Sequence, residues 1–275
     1  MWKEKPETGI GLRADWRDPE QYKPLLKCDR HHWAGEWLRR NPEFLVDLRS
    51  ARGSAITPGD GDATVFDRSG RLSRWGVYCC RLGGEVTFFW RPECNPLVLQ
   101  IEAEPLDDPE DAFDCRQCPL FRAAVSGSDS QHLLFSDGAR HLQLVVTRGD
   151  ALAGPVLLRC SLQGLKDFGT KPLPLQRLYR LARRGRLLKC LYPPERRARR
   201  WIEMIRAWDG AETGASQRDI AAVLFGHRAV RESWEAGFLR TRVQRLLSGA
   251  RAMVRGGYRR LLNPEGEGRS GRVKG

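Results

Sequence analysis

The chain has 275 residues, of which 41% are hydrophobic, and its formal net charge is +13 at pH 7. This length and apolar content predict two or three domains with hydrophobic cores. The sequence contains no run of 18 apolar residues, and its start, residues 1–5, is charged, so we expect neither a membrane-spanning helix nor a signal peptide. We therefore expect a cytoplasmic protein with no membrane partner.

The positive charge is concentrated in one part of the chain. Residues 165–275 contain 26 Lys and Arg against 10 Asp and Glu, whereas residues 1–164 contain 21 against 24. Such asymmetry is typical of a nucleic-acid-binding part joined to a part with another task. A membrane surface is the rival partner for a basic protein, but the sequence carries no lipidation motif.

Residues 1–53 are predicted to form a small helical module of three short amphipathic helices. The second is capped by Asp29 and ends at Asn41-Pro42, because the residue before proline disfavours helical geometry. Its tryptophans, Trp33 and Trp37, lie on one side of the helix. We predict that they belong to a core rather than to a base-stacking surface.

An antiparallel β-rich middle domain is predicted over residues 64–163, after a Gly-, Pro- and Asp-rich linker over residues 53–62. Gly83-Gly84 indicates a hairpin between its first two strands. The acidic stretch 105–119 is predicted to be a loop. Strands are expected at 75–80, 86–90, 97–102, 131–136, 141–147 and 156–161.

No catalytic grouping is visible in the sequence. It lacks G-x-S-x-G, P-loop, G-x-G-x-x-G and H-E-x-x-H motifs, so we predict no catalytic residue, no cofactor and no enzyme activity. Cys115 and Cys118 have C-x-x-C spacing, but a zinc site needs a second such pair, and Cys79-Cys80 are adjacent. We therefore predict reduced thiols and no metal.

The stretch 216–262 contains two further predicted helices. The first begins with a capping-box pair, Ser216 and Asp219, and ends at Gly226. The connection from Gly226 to Trp234 is longer than a tight turn. The second helix runs from about Gly237 to Arg255. One side of it is apolar, and the other has no acidic residue and carries Arg240, Thr241, Gln244, Arg245, Ser248, Arg251 and Arg255.

A capped helix, a connection and a longer helix with a basic face predict a helix-turn-helix type of domain that binds double-stranded DNA. Arginine pairs with guanine, glutamine with adenine, and both bind phosphate. The alternative is an Arg-rich helix that is merely solvated. Ser216, Gln217 and Arg218 are predicted to lie near the DNA backbone. A second basic group lies at the start of another predicted helix and either binds DNA phosphates or is simply exposed to solvent. It consists of Arg196, Arg197, Arg199 and Arg200.

Several stretches resemble known families. Trp16-Arg17-Asp18 and residues 33–42 resemble the transcriptional regulator-like domain of proteobacteria and their mobile elements. Residues 158–160 with 165–167, 216–221 with 224–226, and 242–259 resemble the DNA-binding domain of RovC-type transcription factors. FseA-type excision activators are similar and combine both domains. The chain departs from this resemblance at Gly35, where we expect a larger residue.

The resemblance implies an oligomeric DNA-binding transcriptional activator of secretion or mobile-element genes. The predicted fold class is α+β, with a helical module at 1–53, the β-rich domain at 64–163, an all-α DNA-binding domain at 165–262 and a disordered tail at 263–275. We expect the protein to be nucleoid-associated and to form a homo-oligomer, with RNA polymerase as a further partner.

Two alternatives to an activator stay open. One is an architectural or recombination-directionality factor that bends DNA beside an integrase, and the other is an RNA-binding antiterminator. The charge distribution also leads us to expect that a fragment of residues 165–275 binds DNA by itself, because that part holds the excess positive charge.

Overall fold

A computed structural model of the chain describes residues 14–51, 63–66, 70–83, 85–106, 109–126, 130–162 and 164–263. The predicted linker at 53–62 and the predicted tail, apart from Asn263, lie outside the described residues. The fold is α+β, with helices at both ends of the chain and strands between them. None of the described helices is long and apolar enough to cross a membrane.

The N-terminal part forms three short helices, as predicted. A 3-10 helix over Pro19–Lys27 precedes α1 (Arg30–Leu38) and α2 (Pro42–Ala51). The Asp29 carboxylate caps α1, because it accepts hydrogen bonds from the backbone N–H groups of the second and third helical residues at 3.1 and 3.0 Å. The Asn41 side chain accepts from the Phe44 N–H in the same way and caps α2.

The middle of the chain forms two sheets. Their strands are Ala63–Phe66, Val77–Gly83, Glu85–Trp90, Leu99–Glu104, Phe121–Ser126, Gln131–Ser136, His141–Arg148 and Leu157–Cys160, numbered β1 to β8 in this order. A three-stranded antiparallel sheet has the order β1-β2-β3, and a five-stranded sheet has the order β5-β6-β7-β4-β8. The antiparallel prediction holds for all neighbouring pairs except β4 and β7, which are parallel. Strands β1 and β5 were not predicted.

Seven α-helices follow the sheets within the described residues. They are Gly164–Thr170, Pro172–Arg184, Ala198–Glu212, Gln217–Phe225, His227–Ser233, Phe238–Ala252 and Arg259–Leu262, numbered α3 to α9 in this order. The connection after Gly226 is longer than a tight turn, as expected, but it is itself a helix, α7, which was not predicted. The last long helix, α8, continues into a π-helical turn, Met253–Gly257.

The hydrophobic cores cross the predicted domain boundaries. One core joins the N-terminal helices, strands β2 and β3, and helices α5 to α9. A second joins the five-stranded sheet to α4, which contributes Leu178 and Leu181. A third, small cluster contains Phe89, Val125 and Leu134. The helical module and the C-terminal helices therefore bury their apolar side chains against each other, and α4 belongs by packing to the sheet.

The contacts between the two ends of the chain are specific as well as apolar. The rings of Trp33 and Trp201 meet edge to face with centroids 5.2 Å apart, and both side chains are buried. The Asn41 amide donates to the Val254 carbonyl at 2.9 Å. The Tyr258 hydroxyl donates to the Trp75 carbonyl at 3.0 Å. The tryptophans of the module are thus core residues, as predicted, in a core that both ends share.

Candidate nucleic-acid interface

Helix α8 is held to the rest of the protein by its apolar side. The predicted division of this helix is confirmed, because every residue of its apolar stripe is buried or partly buried. At about 100° per residue these positions share one face. They pack mainly on α5 and α6. The fully buried members of the stripe are Leu239, Val243, Leu246, Ala250 and Val254.

The opposite side of α8 faces solvent and carries no acidic residue. Among the described residues, no carboxylate forms an ion pair with any of its four arginines, so these guanidinium groups are available to an external anion. The structure therefore places the predicted contact residues of α8 on one exposed surface, which we call the α8 face. It consists of Arg240, Thr241, Gln244, Arg245, Ser248, Arg251 and Arg255, all exposed.

Arg242 lies at the edge of this surface and has a different task. Its guanidinium group is 3.5 Å from the Glu203 carboxylate on α5 and 4.0 Å from the ring centroid of Phe225 on α6. An arginine above an aromatic face is attracted by the ring electrons. Arg242 therefore fixes α8 against the two helices beneath it.

The residues predicted to lie near the DNA backbone are at the start of α6, and the structure shows which of their polar groups are free. The Ser216 hydroxyl accepts from the Asp219 N–H at 3.1 Å and donates to its carboxylate at 2.6 Å. The Ser216 backbone N–H also donates to this carboxylate, at 3.1 Å, which completes the predicted capping box. The two bonds that the carboxylate accepts from Ser216 lower the pKa of Asp219. Ser216 is thus occupied as a helix cap. Arg218 is exposed and Gln217 is half-buried, and both follow the cap on the first turn.

The basic group at the start of α5 divides into two kinds of residue. Arg196, Arg199 and Arg200 are exposed. Arg197 instead pairs with the Glu195 carboxylate at 2.9 Å and covers the Trp201 ring at 4.7 Å, so it supports the helix start. No hydrogen bond or ion pair within the described residues links this group to the α8 face.

Helix α5 supports the interface from inside the protein. Beyond its first turn, nearly all sides of this helix are buried. The Arg40 guanidinium donates to both Asp209 oxygens at 2.8 Å and to the Glu36 carboxylate at 2.9 Å. The Tyr22 hydroxyl donates to Asp209 at 2.9 Å. The Arg206 guanidinium, also on α5, donates to the Trp16 carbonyl at 2.9 Å.

The charges of this buried network stabilise one another. Burial by itself would raise the pKa of Glu36, but the guanidinium groups of Arg39 and Arg40 lower it below its usual value. Burial raises the pKa of Tyr22, and the adjacent Asp209 carboxylate raises it further. Tyr22 is thus a neutral hydrogen-bond donor, and the ions of the network are paired.

Sequence reasoning missed a second basic surface, on α4. Arg183, Arg184 and Arg186 are exposed at and beyond the end of this helix, with the exposed ring of Tyr179 one turn before. Arginine recurs at every third position of α4, at Arg177, Arg180 and Arg183, and this recurrence was a signal for it. Phe238, the first residue of α8, is also exposed and was not predicted as a DNA contact.

The two cysteines of the C-x-x-C pair lie in and beside the hydrophobic core of the five-stranded sheet. The Cys115 thiol is buried and donates a hydrogen bond to the Ala151 carbonyl at 3.1 Å. Burial raises the pKa of this thiol to about 11, and the pKa of Cys118 is raised for the same reason. Both residues are neutral thiols at pH 7, and Cys115 has a packing role.

An exposed, acid-free arginine helix on a buried helical support is an arrangement that DNA-binding domains use. Residues 166–263, which hold this support and the α8 face, match the family described as T6SS, transcription factor, DNA-binding domain. Residues 15–79 match the proteobacterial transcriptional regulator-like domain. No curated protein matches the chain significantly.

The two matches confirm the two-part architecture that the resemblance implies, and the chain is a DNA-binding transcriptional regulator. The N-terminal match extends to residue 79, beyond the predicted end of the module at 53. Packing explains this extent, because the Trp75 ring contacts Phe44 and its N–H donates to the Asp47 carboxylate at 2.8 Å.

Proposed function

We propose that the protein is a sequence-specific transcriptional activator that places α8 in the major groove of its operator. The observation that carries this proposal is the α8 face itself, whose arginines have no carboxylate partner among the described residues. Its Arg and Gln side chains match the hydrogen-bonding edges of guanine and adenine. Gln217 and Arg218, and the exposed arginines at the start of α5, are proposed to hold phosphates.

The proposal extends to partners and targets. We propose that the protein acts in the cytoplasm at the nucleoid as a homo-oligomer, with recognition helices on half-sites one helical turn apart. The less basic N-terminal part then supplies contacts to RNA polymerase. The description of the C-terminal family names T6SS, which supports secretion genes as targets. Mobile-element genes are proposed on the sequence resemblance.

The test is a mobility shift on the native promoter at fixed salt. Arg245→Ala is expected to weaken specific binding tenfold or more with folding intact, because a bidentate base contact contributes about 1–3 kcal/mol. Arg148→Ala is the matched control, since it removes the same charge from an exposed site on β7. Unchanged affinity for Arg240→Ala, Gln244→Ala and Arg245→Ala alike would remove α8 from the interface.

Two companion measurements separate the alternatives. Equal competition by single-stranded RNA would favour an antiterminator over a DNA-binding activator. Bending of the promoter without activation of a reporter gene would favour an architectural factor. An activator is expected to show both operator binding and increased reporter expression.

A further inference from the structure

Phe238 is a large apolar side chain in a position that does not serve packing. It is the first residue of α8, and 69% of its surface is exposed. Its neighbour Leu239 is buried and anchors this end of the helix in the core. Because the ring is exposed, it contributes little to stability and is free to contact a ligand.

The ring adjoins the α8 face, at the edge next to Arg245. At about 100° per residue, Phe238, Thr241, Arg245 and Ser248 form one row along the helix, and all four are exposed. Gly237, which precedes the ring, has a φ of 78°, and a side chain there would meet nothing within 4 Å. The space beside the ring is therefore open to a ligand that approaches the start of α8.

The chemistry of the major groove identifies a ligand for such a ring. In helix-turn-helix docking, the residues at the start of the recognition helix contact base edges. The apolar group exposed there is the C5-methyl group of thymine, which aliphatic and aromatic side chains contact. Arginine and glutamine read the polar edges of bases, so the methyl group needs a residue of a different kind.

We propose that Phe238 contacts a thymine C5-methyl group and thereby sets the base preference at one operator position. This inference rests on the proposed function of α8 in the major groove. Phe168 on α3 provides a comparison, because it is also 56% exposed but lies on a different helix, outside the α8 face.

The experiment first selects preferred duplexes from random DNA with the full-length protein. Each thymine of the selected site is then replaced by deoxyuridine, which removes only the methyl group, and affinities are measured by titration. The wild-type protein is expected to lose about fourfold at one position, which corresponds to the roughly 0.8 kcal/mol of one buried methylene-sized group.

Phe238→Ala is expected to bind the thymine and deoxyuridine duplexes equally at that position. Phe238→Leu keeps an apolar contact and is expected to retain part of the difference. Phe168→Ala, the matched control, is expected to keep all of it. Thermal melts of each variant confirm that folding is unchanged.

The outcomes separate this inference from the function on which it rests. If no preferred sequence is selected, sequence-specific binding by the protein fails, and the inference fails with it. If a sequence is selected but every deoxyuridine is tolerated, Phe238 does not read a methyl group. Persistence of the thymine preference in Phe238→Ala would likewise overturn the inference while leaving the proposed function intact.

Discussion

The buried pair of Arg40 and Asp209 shows most clearly how single residues connect the two ends of the chain. Their side chains are 4% and 2% exposed, and their charged groups meet through two hydrogen bonds. A charge that loses its partner in such a site is costly, because it cannot be rehydrated without disturbing the fold. These two residues are 169 positions apart in the sequence.

We expect Asp209→Ala to lower the free energy of unfolding by about 3 kcal/mol or more, since the Arg40 guanidinium then loses the two hydrogen bonds to Asp209 and keeps only those to Glu36. Urea denaturation of the full-length protein measures this loss. The matched control is Glu232→Ala, which breaks a pair with Arg228 whose side chains are 86% and 59% exposed. That change is expected to stay within about 0.5 kcal/mol. Equal effects of both substitutions would contradict the role given to burial.

The properties of individual side chains were predictable to different extents. Helical periodicity alone divided α8 correctly into buried and exposed residues, because its pattern is local and regular. Periodicity did not reveal that Arg197 covers Trp201 or that the Ser216 hydroxyl is occupied. These facts depend on the rotamer that each side chain adopts among its neighbours. The pairing of Arg40 with Asp209 depends on tertiary contacts that no local pattern contains.

At the scale of elements, the packing of α1 on β3 explains why Gly35 differs from the larger residue expected at this position. A Cβ atom on Gly35 would lie 2.9 Å from two ring atoms of Phe88. The glycine therefore allows the helix to approach the ring closely. The departure from the resemblance thus has a packing reason.

We expect Gly35→Ala to destabilise the protein by up to about 2 kcal/mol, because overpacking costs about 1–3 kcal/mol and alanine returns only roughly 1 kcal/mol by favouring a helix. Gly249→Ala in α8 is the matched control. Its new Cβ would meet the flexible end of Met204, which can move, so we expect little loss of stability. Thermal melting of both variants tests the prediction. A stabilising Gly35→Ala would show that Phe88 yields without cost.

Short elements were the hardest to predict from the sequence. The seven-residue helix α7 and the strands β1 and β5 were missed, whereas the capped helices α1 and α6 were found. A capping residue is a local signal that acts in every context. An element such as α7, which buries only Val230, is stabilised mainly by its packing against α6 and α8.

At the scale of the whole molecule, charge and packing divide the chain differently. The excess of basic residues lies beyond position 165, which led to the expectation that this part binds DNA alone. Yet the core beneath α8 contains Trp16, Trp33 and Trp37 from the other end of the chain. Charge counts report where phosphates are neutralised, but they carry no information about which segments share a core.

The structure therefore reverses the expected behaviour of a fragment of residues 165–275. Without residues 1–164, Trp201 loses the rings of Trp33 and Trp37, which meet it edge to face, and Asp209 loses Arg40 and Tyr22. We expect the fragment to lack a cooperative thermal transition and to bind operator DNA at least tenfold more weakly than the full chain. Calorimetry beside a mobility-shift titration at one salt concentration measures both properties.

A second fragment serves as the control for that experiment. A separate fragment of residues 1–62, added in excess, again supplies the side chains of α1 and α2 that complete the shared core. It also supplies Arg40, the partner of Asp209. Partial recovery of the transition and of DNA binding is expected, because α5 regains part of its buried surroundings. A fragment of residues 165–275 that melts cooperatively and binds with full affinity would show instead that the shared core is not needed to support α8.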